Sequence, residues 1–195
     1  MVCPWARARV DGDRRSGRRI SAAVVCGFVL ALSACSPGAP VGPAGHAKSR
    51  AVEDGSIPDH TSISPDDSGH PAISGLDPDL LAAVRRAAAD ARAAGVELRV
   101  TSGWRSKAYQ QRLLDEAVAA HGSLEEARRL VSTPEKSAHV TGKAIDIGPT
   151  DAADWLIRHG SDHGLCQTYA NEMWHFELST TPGGECPAPR DDAAG

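Results

Sequence analysis

The chain has 195 residues, with 21 Lys and Arg against 25 Asp and Glu, a formal charge of −4. That length allows one domain plus extra segments. Without residues 1–34, which hold six Arg and two Asp, the charge is near −8; this excludes the basic stripe of a nucleic-acid-binding protein and electrostatic attachment to anionic lipid.

Arg14, Arg15, Arg18 and Arg19 precede an apolar run from Ile20 to Leu32. The run is shorter than the ~20 residues that span a bilayer. A basic flank, a short apolar stretch and then small residues mark residues 1–34 as a secretory signal. Leu32-Ser33-Ala34-Cys35 resembles a bacterial lipobox, in which the Cys is lipidated and cleavage falls before it. The expected location is therefore the outer face of the bacterial cytoplasmic membrane, with the lipid on Cys35 as the anchor. A Cys carrying two or three acyl chains meets the need of stable anchoring for more than one chain. Arg14-Arg15 is not followed by the hydrophobic consensus of a twin-arginine signal. Cys3 and Cys26 leave with the signal, so Cys166 and Cys186 remain as one possible pair, able to bridge in an oxidising compartment. The loop they would close holds about 20 residues, worth roughly 3 kcal/mol in the chain-entropy model.

Residues 35–75 comprise the lipidated Cys and a stretch rich in Pro, Gly, Ser and Asp, without helical or strand period. They are expected to form a flexible tether, with His46, His60 and His70 as solvated residues. Order is expected over 76–187, and 188–195 are expected to be a disordered tail. Asp77-Pro78 is an N-cap followed by Pro at the first helical position. Leu80, Val84, Ala87 and Ala91 then share a helical face, and Gly95 ends it. Glu97 to Thr101 reads as a strand and Ser102-Gly103 as a turn. A second helix from about Ser106 has Tyr109, Leu113 and Ala117 inside, and His121-Gly122 closes it. Ser123-Leu124-Glu125-Glu126 is a capping box for a short helix. Lys143 to Ile147 is a strand with Ile145 and Ile147 on one face and Asp146 on the other. Asp151 to His159 is helical, and Leu165 to Gln167 and Met173 to Leu178 are strands. Elements in this order suggest an α+β fold, a small single domain with a central antiparallel sheet flanked by helices.

Three segments carry chemistry: SGWRS at 102–106, SAHVTGKAID at 137–146 and NEMWH at 171–175. They hold Arg105, His139, Asp146, Glu172 and His175. Two His and a carboxylate suit a catalytic zinc site, which keeps a position open for water. Glu172 is a candidate proton carrier, and Arg105 can grip a carboxylate through paired hydrogen bonds. Glu172 and His175 are an odd number of residues apart, so on one strand they would face opposite ways. Glu172 must therefore lie in a turn or bulge before the strand. His159 and His163 have helical metal spacing, but Gly160 and Gly164 interrupt the helix, so both are read as surface residues. Trp104 and Trp174 are packing residues or cleft walls, and Glu177 is structural or supports the ligand strand.

Taken together, SGWRS, SAHVTGKAIDIG and NEMWHFEL resemble the VanY-like D-alanyl-D-alanine carboxypeptidases, whose Ser-x-His-x-x-Gly-x-Ala-x-Asp segment is followed by Glu-x-x-His. Ser137, His139, Gly142, Ala144, Asp146, Glu172 and His175 stand at those positions. The resemblance implies Zn2+ on His139, Asp146 and His175, with Glu172 as general base. It further implies that Arg105 steadies the substrate carbonyl or terminal carboxylate, that Ser137 contacts the peptide and that Gln111 lines the cleft. The implied fold is that of the D-Ala-D-Ala peptidase/Hedgehog-like domains, acting as a monomer. The implied substrate is the peptidoglycan stem peptide, with hydrolysis of its terminal D-Ala-D-Ala bond. Related sites serve cell-wall endopeptidases and D-Ala-D-Ala dipeptidases, and a non-catalytic wall-binding lipoprotein is a further alternative.

Overall fold

Asp77 starts the long helix that the sequence predicts. In the computed structural model, which describes residues 53–194, its Oδ1 accepts from Asp79 N at 2.9 Å. The short helix α1 (Pro71–Ser74) precedes it, and the capped helix is α2 (Pro78–Ala93). Leu80, Ala83, Val84, Ala87, Ala88 and Ala91 are buried along one side of α2, the spacing of a core-facing helix. The expected signal, Cys35, His46 and the first part of the expected tether lie outside the described residues.

After α2 come β1 (Arg99–Ser102), α3 (Lys107–His121), α4 (Leu124–Arg128), β2 (Ala144–Gly148) and α5 (Thr150–His159). A 3-10 turn (Gly160–His163), β3 (Leu165–Gln167) and β4 (His175–Leu178) complete the elements. The four strands form one antiparallel sheet in the order β1-β2-β4-β3. The fold is the expected α+β arrangement. Val100, Ile145, Ile147, Leu165 and Phe176 share a core with Leu80, Val84, Ala152 and Leu156 of α2 and α5. Strand alternation then turns Asp146 away from that core. Cys166 and Cys186 are bridged, with Cα atoms 5.6 Å apart.

Several expectations are corrected. Residues 53–75 pack onto the domain: Ile63 and Val100 exchange two backbone hydrogen bonds of 2.9 Å, and Ala72 and Ile73 have no exposed surface. The polar composition of this stretch hides a few apolar residues, each of which lands in the core. His70 caps α1 through its Nδ1, whereas His60 is exposed. Residues 188–194 are also placed, with Ala193 buried. His163 is buried, its Nε2 3.3 Å from Asp90 Oδ2, and His159 stacks on Trp155 at 4.7 Å between ring centroids. In α3 the buried residues are Gln110 and Leu114, one position after the expected Tyr109, Leu113 and Ala117. Polar Gln110 takes an inner place because Arg105 and Ser132 satisfy its amide.

Candidate active site

Asp146 and His175 are direct partners across β2 and β4, and cross-strand partners project from the same face. A register shift between Val100 and Ser102 in β1 lets Val100 stay in the core while Ser102 pairs with Asp146. His139 comes from the turn before β2. That turn is fastened by Gly142, which has a φ of +72° and whose carbonyl accepts from Asp77 N at 2.9 Å. A Cβ there would sit 2.4 Å from Gly75 O, so glycine is required by both conformation and space.

Three acceptor atoms meet where these elements converge. His139 Nε2 is 3.2 Å from His175 Nδ1 and 3.3 Å from Asp146 Oδ1, and His175 Nδ1 is 3.2 Å from Asp146 Oδ1. Donors held ~2.0–2.1 Å from a tetrahedral zinc ion lie roughly 3.3–3.4 Å apart, so the triangle fits such an ion. Each ring is oriented from behind. His139 Nδ1 donates to Gly103 O at 2.8 Å, leaving Nε2 with its lone pair. His175 Nε2 lies 3.1 Å from Glu177 Oε1, and donation there leaves Nδ1 facing the triangle. Outer partners of this type fix the tautomer and orientation of metal-binding histidines.

Glu172 lies just before β4, where His175 N donates to Glu172 O at 3.2 Å. This turn brings both side chains to the same side, as the spacing required. Glu172 Oε2 is 3.7 Å from His175 Nδ1, and buried Oε1 has no hydrogen-bond partner. Burial pushes the Glu172 carboxyl up to about 7, with Asp146 adding to the shift and His175 and Arg105 opposing it. Burial would also raise Asp146, but His139, hydrogen bonds from both histidines and Arg105 hold it well below the usual range. His139 is lowered, chiefly by burial and then by the charge of Arg105. Burial opposes the charged form of His175, yet hydrogen bonds to Asp146 and Glu177 lift it to about 9.

Arg105 is committed to the site from behind. Its Nε donates to Ser102 Oγ (2.8 Å), Nη1 to Gln110 Oε1 (3.2 Å) and Nη2 to Asp146 Oδ2 (2.9 Å). Asp146 therefore presents Oδ1 to the histidines and Oδ2 to arginine. Ser137 is buried and lines the same cavity. Gln111 does not: it is exposed and bonds Asp115 on the outer face of α3. The glutamine at the site is Gln110, displaced by the one-residue offset of α3. Sequence reasoning missed Gln110 because an amide facing inward breaks the apolar pattern. The position of Glu177, two residues beyond His175 on the same strand face, was a usable signal.

Residues 74–181 match the family model for VanY, D-alanyl-D-alanine carboxypeptidase. The chain belongs to the VanY family. Among solved structures, the vancomycin-resistance D,D-pentapeptidase VanY from a VanB-type cassette, a mutant in complex with Zn(II), is 25% identical with a TM-score of 0.51. The match covers 63% of this chain and 82% of that one. VanYB in complex with D-alanine-D-alanine is 24% identical, TM-score 0.51, covering 63% and 80%. The D,D-dipeptidase VanXYg bound to a D-Ala-D-Ala phosphinate analogue is 26% identical, TM-score 0.52, covering 62% and 56%. No curated protein matches the sequence. The VanY match spans both segments that carry His139, Asp146, Glu172 and His175, and it makes this chain an enzyme of a peptidase family.

Proposed function

We propose that this VanY-family chain is a zinc-dependent carboxypeptidase that removes the terminal D-alanine from peptidoglycan stem peptides. The observation carrying this reading is the triangle of lone-pair atoms beside the unpartnered Glu172 Oε1. Three acceptors at 3.2–3.3 Å repel one another unless a proton or a metal cation lies among them. His139, Asp146 and His175 would hold Zn2+, which supplies Lewis acidity and lowers the pKa of water towards ~7.

The chain's own residues then divide the work. Glu172 takes a proton from the attacking water at Oε1 and returns one to the amide nitrogen of the departing residue. Burial keeps its carboxyl near neutrality, where it can do both. Asp146 stays ionised because Arg105 and both histidines support it. Arg105, with N–H groups beyond those spent on Ser102, Gln110 and Asp146, is placed to hold a substrate oxygen as charge develops. Ser137 lines the peptide's path.

Export and a lipid on Cys35 would bring this activity to its substrate at the outer membrane face. The basic flank, the short apolar run and the lipobox-like Leu32–Cys35 segment support that location. Among the described residues no helix is long and apolar enough to cross a membrane.

The decisive experiment incubates the zinc-loaded protein with a muramyl pentapeptide ending in D-Ala-D-Ala and reads the products by mass spectrometry, with a chelator control. Loss of one alanine, abolished by the chelator, is expected. Cleavage at an internal bond would replace the carboxypeptidase with an endopeptidase. No cleavage by folded, zinc-loaded protein would overturn the reading.

A further inference from the structure

Two spaces of unequal size flank the ligand triangle. Arg105, Leu113, Asp146 and Trp174 border both. The larger, about 980 Å³, runs over β1, and residues 57–62 form its far wall. The smaller, about 240 Å³, holds His139, Glu172 and His175 and reaches Ser132, Tyr169 and Ala193. Sites for drug-sized ligands run ~300–1,000 Å³. The larger space thus has room for several linked residues, and the smaller for little more than one small residue beside the ligand atoms.

Ala193 is the lining residue of the smaller space that lies downstream of the VanY match, which ends at 181. Its segment is tied down at several points. Cys186 is bridged to Cys166 in β3. Arg190 N donates to Thr168 O at 2.9 Å, and Arg190 O accepts from Ala170 N at 2.7 Å. The Arg190 guanidinium lies 4.8 Å over the Tyr169 ring, and Tyr169 packs 4.8 Å from the His175 ring. Ala193 N donates to Arg129 O at 3.2 Å, and Ala193 O accepts from Ser132 Oγ at 3.1 Å. Ala193 is 9% exposed and presents the smallest side chain that still has a Cβ.

We propose that residues 188–194 wall the leaving-group side of the cleft, and that Ala193 restricts the released residue to about the size of alanine. This rests on the carboxypeptidase reading above. Hydrolysis breaks the amide between the last two residues: water supplies OH to the penultimate carbonyl and H to the departing amine. The acyl part extends into the larger groove, while the departing residue and its carboxylate occupy the smaller space. Release of one residue from an end needs this asymmetry; an endopeptidase needs room on both sides. The match to VanY supplies the ligands, and the segment beyond it supplies the stop.

The test uses three peptides with the same acyl part, ending in D-Ala-D-Ala, in D-Ala-D-Phe, or in D-Ala-D-Ala extended by one glycine, and scores only the bond that follows this shared acyl part, so that the third peptide must release the dipeptide D-Ala-Gly. The native zinc-loaded chain should favour the first by about 100-fold or more in kcat/KM, the upper range for a size-limited pocket. Removing residues from 188 onward, with Cys186 retained, should reduce that preference to below about 10-fold. Because that variant could lose its fold, Ala193→Phe in the otherwise full chain is the second arm. It should lose at least about 100-fold on D-Ala-D-Ala at unchanged zinc content, since a ring would fill the space. Unchanged selectivity in a folded truncation overturns the proposal, as does full turnover by the zinc-loaded Ala193→Phe protein. If the native protein cleaves none of the three peptides, the carboxypeptidase reading itself fails, and the wall with it.

Discussion

Glu172 and Glu177 stand on either side of His175 and have different tasks. Glu172 has a buried, unpartnered oxygen facing the cavity, whereas Glu177 is bonded to the rear of the imidazole. Glu172→Gln should keep zinc and lower kcat by at least ~100-fold, the scale of general acid–base assistance; metal analysis beside steady-state kinetics checks both halves. Glu177→Gln should weaken zinc binding by ~10–100-fold, as loss of an outer partner does elsewhere, and competition with a chromophoric chelator would show it. His175 adds a pH dependence. Unfolded, it titrates near 6.5; in the metal-free fold, against the cost of burial, its carboxylate partners raise it to about 9. Because the folded value is raised, the stabilisation from that proton is complete below 6.5 and is lost as pH rises through about 9. A metal ion must displace the same proton, since ligating imidazole is neutral. Calorimetry of zinc binding in buffers of different ionisation enthalpy should therefore show a proton released from His175 near pH 7.5. That release should fade as pH passes about 9. An uptake of protons, or a release that grows above that point, would contradict this assignment.

At the scale of elements, α3 marks where sequence reading and structure part. Its start and stop were legible: Ser106 caps it by accepting from Tyr109 N, and Gly122 ends it with a positive φ. Its rotation was not, because Gln110 faces inward where the apolar pattern called for Tyr109. An amide does so only because its partners, Arg105 and the carbonyl of Ser132, come from distant segments. Those partners are visible only after folding. The strands were easier: alternation placed Asp146 opposite Ile145 and Ile147, and the odd spacing of Glu172 and His175 required the turn that the structure contains. The two glutamines make a direct comparison. Gln111→Ala should stay within ~0.5 kcal/mol of the parent, as exposed substitutions usually do. Gln110→Ala removes both buried hydrogen bonds and should cost about 1–3 kcal/mol, together with part of the support that orients Arg105. Equal denaturation midpoints for the two variants would show that Gln110 carries no such load.

Over the whole molecule, the error in the sequence reading was one of boundaries, and its cause is physical. Residues 53–75 are rich in residues that favour turns and loops, so local composition reads as a tether. Yet Ile57, Ala72 and Ile73 are buried, Ile63 extends the sheet edge at Val100, and Arg85 reaches back to Pro65 O at 3.2 Å. Trp104, beside the site's SGWRS segment, donates its backbone N–H to Ala72 O at 2.9 Å. These contacts are long-range, and no window along the sequence contains both partners. Burying a residue such as Ile73 fully is worth ~1.5–3 kcal/mol. The segment as a whole thus supplies a sizeable part of the ~5–15 kcal/mol that separates folded from unfolded domains. A chain begun at Leu76 would retain nearly all of the VanY match and every proposed ligand. It should nevertheless melt at least ~10 °C below one begun at 53, by the usual relation between stability and Tm for a domain of this size. It should also lose affinity for zinc, because Gly103 O, which orients His139, is positioned next to the Ala72–Trp104 contact. Calorimetric melting of both chains, with and without zinc, tests this. Equal Tm values would mean that residues 53–75 lie against the domain without stabilising it, and would restore the boundary that composition alone suggests.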